Sequence, residues 1–86
     1  MNIKTFARRL EEGKANNLTY SKDGNEGLIS IWKHESSLIL TWEECPKGEQ
    51  YDESNYTRDE RHVFDDFDKM MEFLTSKALT PDSFTP

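Results

Sequence analysis

Two segments of the chain have the hydrophobic spacing of an α-helix. Near the N-terminus the apolar residues recur at positions i, i+3, i+4 and i+7, and they are Ile3, Phe6, Ala7 and Leu10. The same kind of spacing returns near the C-terminus, at Phe67, Met70, Met71 and Leu74. Asn2 can cap the first helix and Gly13 can end it, while Asp65 or Asp66 can cap the second. The pattern therefore predicts one helix at each end of the chain.

Between these helices apolar and polar residues alternate, as they do in β-strands. Residues 18–43 predict three strands, and residues 61–64 can return as a fourth. The linkers 23–26 and 33–36 have the length of four-residue hairpin loops. Such loops would place Tyr20 opposite Ile29 and Ile31 opposite Leu38, with all four side chains on one face of the sheet. The other face would then carry apolar residues among polar ones, namely Leu28, Trp32 and Ile39.

The order of these elements predicts an α+β fold with two layers. It consists of an N-terminal helix, an antiparallel three- to four-stranded β-meander and a C-terminal helix. A chain of 86 residues has the length of one domain, so residues 1–86 are expected to form a single domain. Residues 44–60 show no period and predict a long loop. Residues 80–86 are expected to form a flexible tail unless Phe84 packs on the core.

The cysteine content and the N-terminal sequence indicate the cellular compartment of the protein. Cys45 is the only cysteine, so neither an internal disulfide nor a cysteine-based metal cage is available. The first residues contain no apolar segment of signal-peptide length, and residues 38–40 are the longest apolar run. We therefore expect a cytoplasmic protein.

The acidic side chains are concentrated in the second half of the chain. The formal net charge is −6, but residues 1–34 carry six basic and four acidic side chains, whereas residues 35–86 carry five and thirteen. Such a field repels nucleic-acid phosphates and attracts basic protein surfaces, including the substrate groove of a nucleic-acid enzyme. The predicted partner-binding residues are Glu43, Glu44, Glu49, Tyr51, Asp52, Glu53, Tyr56, Asp59 and Glu60. The alternative is that these acids only keep the protein soluble.

No catalytic or metal-binding motif is present in the sequence. The spacing of His34, Cys45 and His62 matches no zinc signature, and there is no phosphate-binding glycine loop or nucleophile elbow. Asp65 and Asp66 are explained as helix caps. We therefore expect no cofactor and no enzymatic activity. The remaining catalytic hypothesis would use His62 with the acids near it.

No residue motif names a family for this chain. In size, charge and element order the whole chain resembles the broad class of small phage or plasmid inhibitors that mimic nucleic acid, including inhibitors of uracil-DNA glycosylase, restriction enzymes and CRISPR nucleases. The resemblance implies a non-catalytic inhibitor, monomeric or homodimeric, that docks an acidic surface on a basic, nucleic-acid-binding enzyme. The alternative expectation is a structural or self-associating domain that uses the outer sheet face around Trp32.

Overall fold

The computed structural model describes all 86 residues and has an α+β fold. Its helices and strands are α1 Ile3–Glu11, β1 Asn16–Lys22, β2 Asn25–His34, β3 Ser37–Pro46, β4 Arg58–Phe64 and α2 Phe67–Ser76. All strand pairs are antiparallel, and the strands follow one another in the sheet in chain order. The predicted fold class and element order are confirmed. Neither helix is long and apolar enough to cross a membrane.

Both helices begin at residues whose side chains cap the first turn. The Asn2 side chain accepts a hydrogen bond from the Thr5 N–H at 2.8 Å, and the Asp66 carboxylate accepts one from the Lys69 N–H at 2.7 Å. Gly13, with a φ of +79°, follows α1 and allows the chain to turn toward β1. These local signals fix where each helix starts and where the first one stops.

The two hairpin turns are tighter than the sequence pattern predicts. Lys22 pairs with Asn25, so the first turn has only two residues, Asp23 and Gly24, both at positive φ. His34 pairs with Ser37 in the same way, with Glu35 at a φ of +58°. The predicted four-residue loops are therefore wrong, and both registers differ from the prediction by two residues. Such a shift leaves every side chain on its predicted face, because strand side chains alternate with a period of two.

The pairs across the sheet change accordingly. Tyr20 lies opposite Gly27 instead of Ile29, and Ile31 lies opposite Leu40 instead of Leu38.

The strands around the predicted long loop are also longer than expected. β3 continues to Pro46 and β4 already begins at Arg58, so the loop between them spans residues 47–57. It contains a short 3₁₀ turn, Glu53–Asn55.

The hydrophobic core lies between the helices and one face of the sheet, here called the inner face. Its buried members are Phe6, Leu10, Ile29, Ile31, Leu38, Leu40, Trp42, Met70, Leu74 and Phe84. Because both helices contribute to this core, both pack on the inner face. The opposite side of the sheet, here called the outer face, carries Leu28, Trp32, Ile39 and Val63, and neither α1 nor α2 packs on it.

The C-terminal residues pack on the core. Phe84 is fully buried and meets Phe6 edge-on, with 5.4 Å between the ring centroids. Thr85 pairs with Asn17 through two backbone hydrogen bonds of 2.7 and 2.8 Å. Of the two alternatives for residues 80–86, the structure therefore has the one in which Phe84 is packed.

Candidate functional site

The acidic residues of β3 and β4 separate onto the two faces of the sheet. Glu43 and Glu44 are neighbours in β3, so their side chains point to opposite faces, and the same holds for Asp59 and Glu60 in β4. The register places Glu43 directly opposite Asp59 on the outer face. Glu44 and Glu60 lie on the inner face with Trp42. The nine predicted binding residues therefore do not form one surface.

Glu44 is part of a hydrogen-bond network on the inner face. Its Oε1 accepts a hydrogen bond from the Tyr20 hydroxyl at 2.5 Å, and its Oε2 accepts one from the Thr57 hydroxyl at 3.3 Å. The Tyr20 oxygen accepts a third bond, from Trp42 Nε1–H at 2.9 Å. Burial, and then the hydrogen bond to Glu44, raises the pKa of Tyr20, so its hydroxyl stays protonated and donates. Glu44 therefore has a structural role.

Glu60 is held by two side chains of its own strand, Arg58 and His62. Its Oε2 lies 3.1 Å from Arg58 Nε, and its Oε1 lies 2.8 Å from His62 Nε2. The hydrogen bond from His62 lowers the pKa of Glu60. The Arg58 guanidinium also lies 4.0 Å from the ring centroid of Trp42. The prediction of Glu44 and Glu60 within an acidic docking surface is not supported by their positions, because both carboxylates already have partners inside the fold.

Glu43 and Asp59 on the outer face have the opposite environment. They are direct cross-strand partners, and like charges in this arrangement destabilise a sheet. The molecule contains several ion pairs, and their acidic members are Glu11, Glu12, Glu60, Asp65 and Asp66. No Lys, Arg or His nitrogen therefore lies within 4.0 Å of the Glu43 or Asp59 carboxylate.

The loop 47–57 brings further acids beside this pair, but it uses some of them to hold itself together. Asp52 accepts hydrogen bonds from the Ser54 hydroxyl at 2.6 Å and from the Asn55 amide at 3.2 Å. Glu49 accepts one from the same Asn55 amide, at 3.1 Å. Tyr51 is 88% exposed. Tyr51 and Glu53 are thus the predicted loop residues that remain exposed and have no side-chain hydrogen bond.

Tyr56 holds the loop together, and Gln50 joins the loop to β2. Its hydroxyl donates to the Gln50 carbonyl oxygen, and the Gln50 amide donates to the Glu26 carboxylate. Burial raises the pKa of Tyr56, and carboxylates led by Glu43 raise it further, so this hydroxyl stays a donor. Tyr56 therefore lines the site, and its side chain is only partly accessible to a partner.

A groove of about 630 Å³ lies between this loop and the β1–β2 hairpin. Leu28 and Cys45 contribute apolar lining, while Glu26 and Glu43 contribute carboxylates. Burial raises the pKa of the Cys45 thiol, and the surrounding acids, first among them Glu26, raise it further. Cys45 is therefore held as an unreactive thiol.

Sequence reasoning missed Glu26 because it searched for acids close together in the chain. The residue joins the site only through the β2–β3 register, which pairs it with Cys45. The sequence could have identified Glu26, because it lies two residues from Leu28 in the same strand and so has its side chain on the same face.

An apolar row continues the outer face beyond the acids. Trp32 pairs with Ile39, and Ile39 pairs with Val63, so the three side chains cross the sheet side by side. Ile39 is buried by its neighbours, whereas Val63 is 61% exposed and Leu28 is 39% exposed. The predicted position of Leu28, Trp32 and Ile39 on the outer face is the one observed.

The histidines and the cysteine lie apart from one another. His34 is exposed at the end of β2, and Cys45 is buried on the outer face. His62 is on the inner face, where its ring centroid lies 4.5 Å from that of Phe73. No group of three or more His, Cys, Asp or Glu side chains is arranged to hold a metal ion.

Comparison with known proteins gives no relative from which a function could be transferred. No family model matches the chain. Searches of curated proteins and of solved structures return no match either. Function is therefore inferred from the geometry of the outer face.

Proposed function

We propose that this protein is a small non-catalytic binding protein that docks the acidic part of its outer face on a basic surface of a partner protein. The observation that supports the proposal is the opposed pair Glu43 and Asp59, which has no Lys, Arg or His nitrogen within 4.0 Å. Two like charges in direct opposition cost stability in the free protein. An arginine or lysine of a partner would remove that cost and form charge-assisted hydrogen bonds with both carboxylates.

The apolar row beside the acids supports a protein partner rather than a simple counterion. Protein interfaces combine a few aromatic or aliphatic anchors with a polar rim. Trp32 and Val63 supply the anchors here, and the acids at one end of the same face supply part of the rim. The expected partner surface is therefore basic, with an apolar patch next to the charges.

The proposed partner is an enzyme that processes nucleic acid, and the proposed effect is inhibition. Carboxylates spaced along a rigid sheet can occupy the places where such an enzyme holds phosphates. Small inhibitors from phage or mobile elements, of the anti-restriction or anti-CRISPR type, work in this way, and a cytoplasmic location fits that role. The docking residues in this proposal are Glu43, Tyr51, Glu53 and Asp59, which have no side-chain hydrogen bond in the fold, and Glu26 lies beside them with its carboxylate bound to the Gln50 amide. Glu44 and Glu60 are not among them.

A pair of double variants with equal charge tests the proposal. Glu43→Gln/Asp59→Asn removes two outer charges, and Glu44→Gln/Glu60→Gln removes two inner ones. Immobilised wild-type protein should capture a basic protein from a lysate of its host cells, and duplex DNA or RNA should compete with that capture. The outer variant should weaken capture about tenfold or more, while the inner variant should retain it. Equal capture by the wild type and the outer variant would refute the proposal.

Self-association through the outer face is a second candidate, favoured by the exposure of Val63 and Leu28. Two copies would also bring their outer acids onto a shared interface, which opposes this arrangement. Sedimentation velocity at micromolar concentration separates the candidates. The leading proposal predicts a monomer, whereas a dimer that Val63→Asp dissociates would establish the second.

A further inference from the structure

A second cavity opens on the inner face, at the end of the sheet that the helices do not reach. It has a volume of about 640 Å³. The cavity exists because α2 ends at Ser76 and the chain then reverses through Ala78, which has a φ of +59°. Apolar walls come from Leu18, Trp42 and Leu79, and cationic groups come from Lys22, Arg58 and Lys77.

One wall of this cavity is a rigid aromatic arrangement. The Tyr20 ring lies over Gly27, where any Cβ atom would overlap it. The Tyr20 hydroxyl accepts from Trp42 Nε1–H at 2.9 Å and donates to Glu44 at 2.5 Å, which fixes the ring. The cavity therefore has a preformed surface of two aromatic side chains, an arrangement typical of small-molecule sites.

Basic side chains outnumber acidic ones around this cavity, in contrast to the protein as a whole. Lys22 and Lys77 have no carboxylate within 4.0 Å, whereas Arg58 is paired with Glu60. The Lys77 ammonium lies 5.6 Å from the ring centroid of Phe73, so a ligand in the cavity would draw it away from a cation–π contact. Two carboxylates also line the cavity. Glu44 accepts hydrogen bonds on both oxygens, and Asp23 belongs to the hairpin turn. Two ammonium groups without ion-pair partners thus border an apolar and aromatic surface.

We propose that this cavity binds a small aromatic anion, such as an aryl carboxylate or sulfonate. The ring of the ligand would lie against Leu18 and Leu79, beside the small exposed part of Trp42, and its anionic group would interact with Lys22 and Lys77. The volume is within the range of about 300–1,000 Å³ that small-molecule sites occupy. The docking residues lie on the opposite face of the sheet, although the Tyr20 side chain lines both this cavity and the outer groove.

The aromatic sulfonate 8-anilinonaphthalene-1-sulfonate is a suitable probe. It can be titrated into the Trp32→Phe variant, in which Trp42 is the only tryptophan. We expect saturable binding of one probe per chain, read as energy transfer from Trp42 to the probe. The dissociation constant should lie in the micromolar range, roughly 10–100 μM.

Two lysine double variants with equal charge decide whether the cavity is the site. Lys22→Gln/Lys77→Gln should weaken binding about tenfold. Lys14→Gln/Lys47→Gln, which changes two lysines outside the cavity, should change the affinity less than about twofold. The neutral analogue 1-anilinonaphthalene should bind as weakly as the probe binds to the cavity variant.

An NMR titration of the wild-type protein is a second test, and it does not depend on whether any variant folds. In ¹H–¹⁵N spectra the indole N–H signal of Trp42 should shift on titration with the probe, while that of Trp32 should not. An unshifted Trp42 signal, or an equal loss of affinity in both lysine double variants, would overturn the proposal.

Discussion

Glu43 and Glu44 are neighbours in β3, and Asp59 and Glu60 are neighbours in β4, yet the two members of each pair have opposite environments. The inner members have hydrogen-bond or ion-pair partners in the fold. The outer members face each other, and neither has an ion-pair partner within 4.0 Å. A count of acids along the chain cannot separate these cases, because strand alternation decides whether a carboxylate serves the fold or remains free for a partner.

Removal of a carboxylate should change the free energy of unfolding in opposite directions on the two faces. Removing an inner carboxylate leaves polar partners without an acceptor, which lowers the free energy of unfolding. Removing an outer carboxylate relieves repulsion and raises it. Substitutions on the two faces should therefore change stability in opposite directions.

The largest effect is expected from Gly27→Ala on the inner face. The new Cβ would overlap the Tyr20 ring and displace it from Trp42 and Glu44. Overpacking of this kind lowers the free energy of unfolding by about 2 kcal/mol, which urea denaturation measures. In a Tyr20→Ala background the same change should cost less than about 0.5 kcal/mol, because no ring remains to be displaced. Equal costs in both backgrounds would show that Tyr20 is not seated on Gly27.

A smaller loss is expected from Tyr20→Phe, which removes one hydroxyl. Trp42 then loses its acceptor and Glu44 loses a donor, at a cost of about 1 kcal/mol in urea denaturation. Tyr51→Phe is the matched control, because that ring is 88% exposed and its hydroxyl has no partner in the molecule. Its effect should stay within about 0.5 kcal/mol. If the two variants lost the same stability, the inner network would contribute nothing measurable.

Acid titration should distinguish Glu60 from the outer acids. Its folded-state pKa lies below the ordinary value of 4.5, so the stability that it contributes is present above that value and is lost as the pH falls through the folded pKa. Glu60→Gln should therefore flatten the decrease in unfolding free energy below about pH 4.5. His62→Ala should flatten it too, because the hydrogen bond from His62 is the main cause of the lowered pKa. An unchanged pH profile in both variants would contradict this account of Glu60.

The fold was largely predictable because an error of two residues in strand register does not change which side chains face the core. The sequence pattern placed both hairpin registers two residues away from those observed, since Asp23 and Glu35 adopt positive φ and close two-residue turns. An even shift keeps each side chain on its face, so the predicted core face stayed correct. Phe84 was harder to place, because its burial depends on Phe6, which is distant in the chain.

The candidate site was only partly predictable, because it depends on pairing between distant strands. Glu43 and Asp59 were among the predicted residues, but their direct opposition required the β3–β4 register. Glu60 was assigned to the loop because its strand was expected to begin only at Arg61. The alternation of Glu44 with Trp42 in β3 was a usable signal for its inner position.

The most direct test of the account compares the free energies of unfolding of the two equal-charge double variants in urea at low salt. Glu43→Gln/Asp59→Asn should be more stable than the wild type by about 0.5 kcal/mol, because the opposed charges are gone. Glu44→Gln/Glu60→Gln should be less stable by about 1–2 kcal/mol, because the inner partners lose charged acceptors. Shifts of the same sign in both variants, or a loss of stability in the outer one, would contradict the claim that the outer acids are free for a partner.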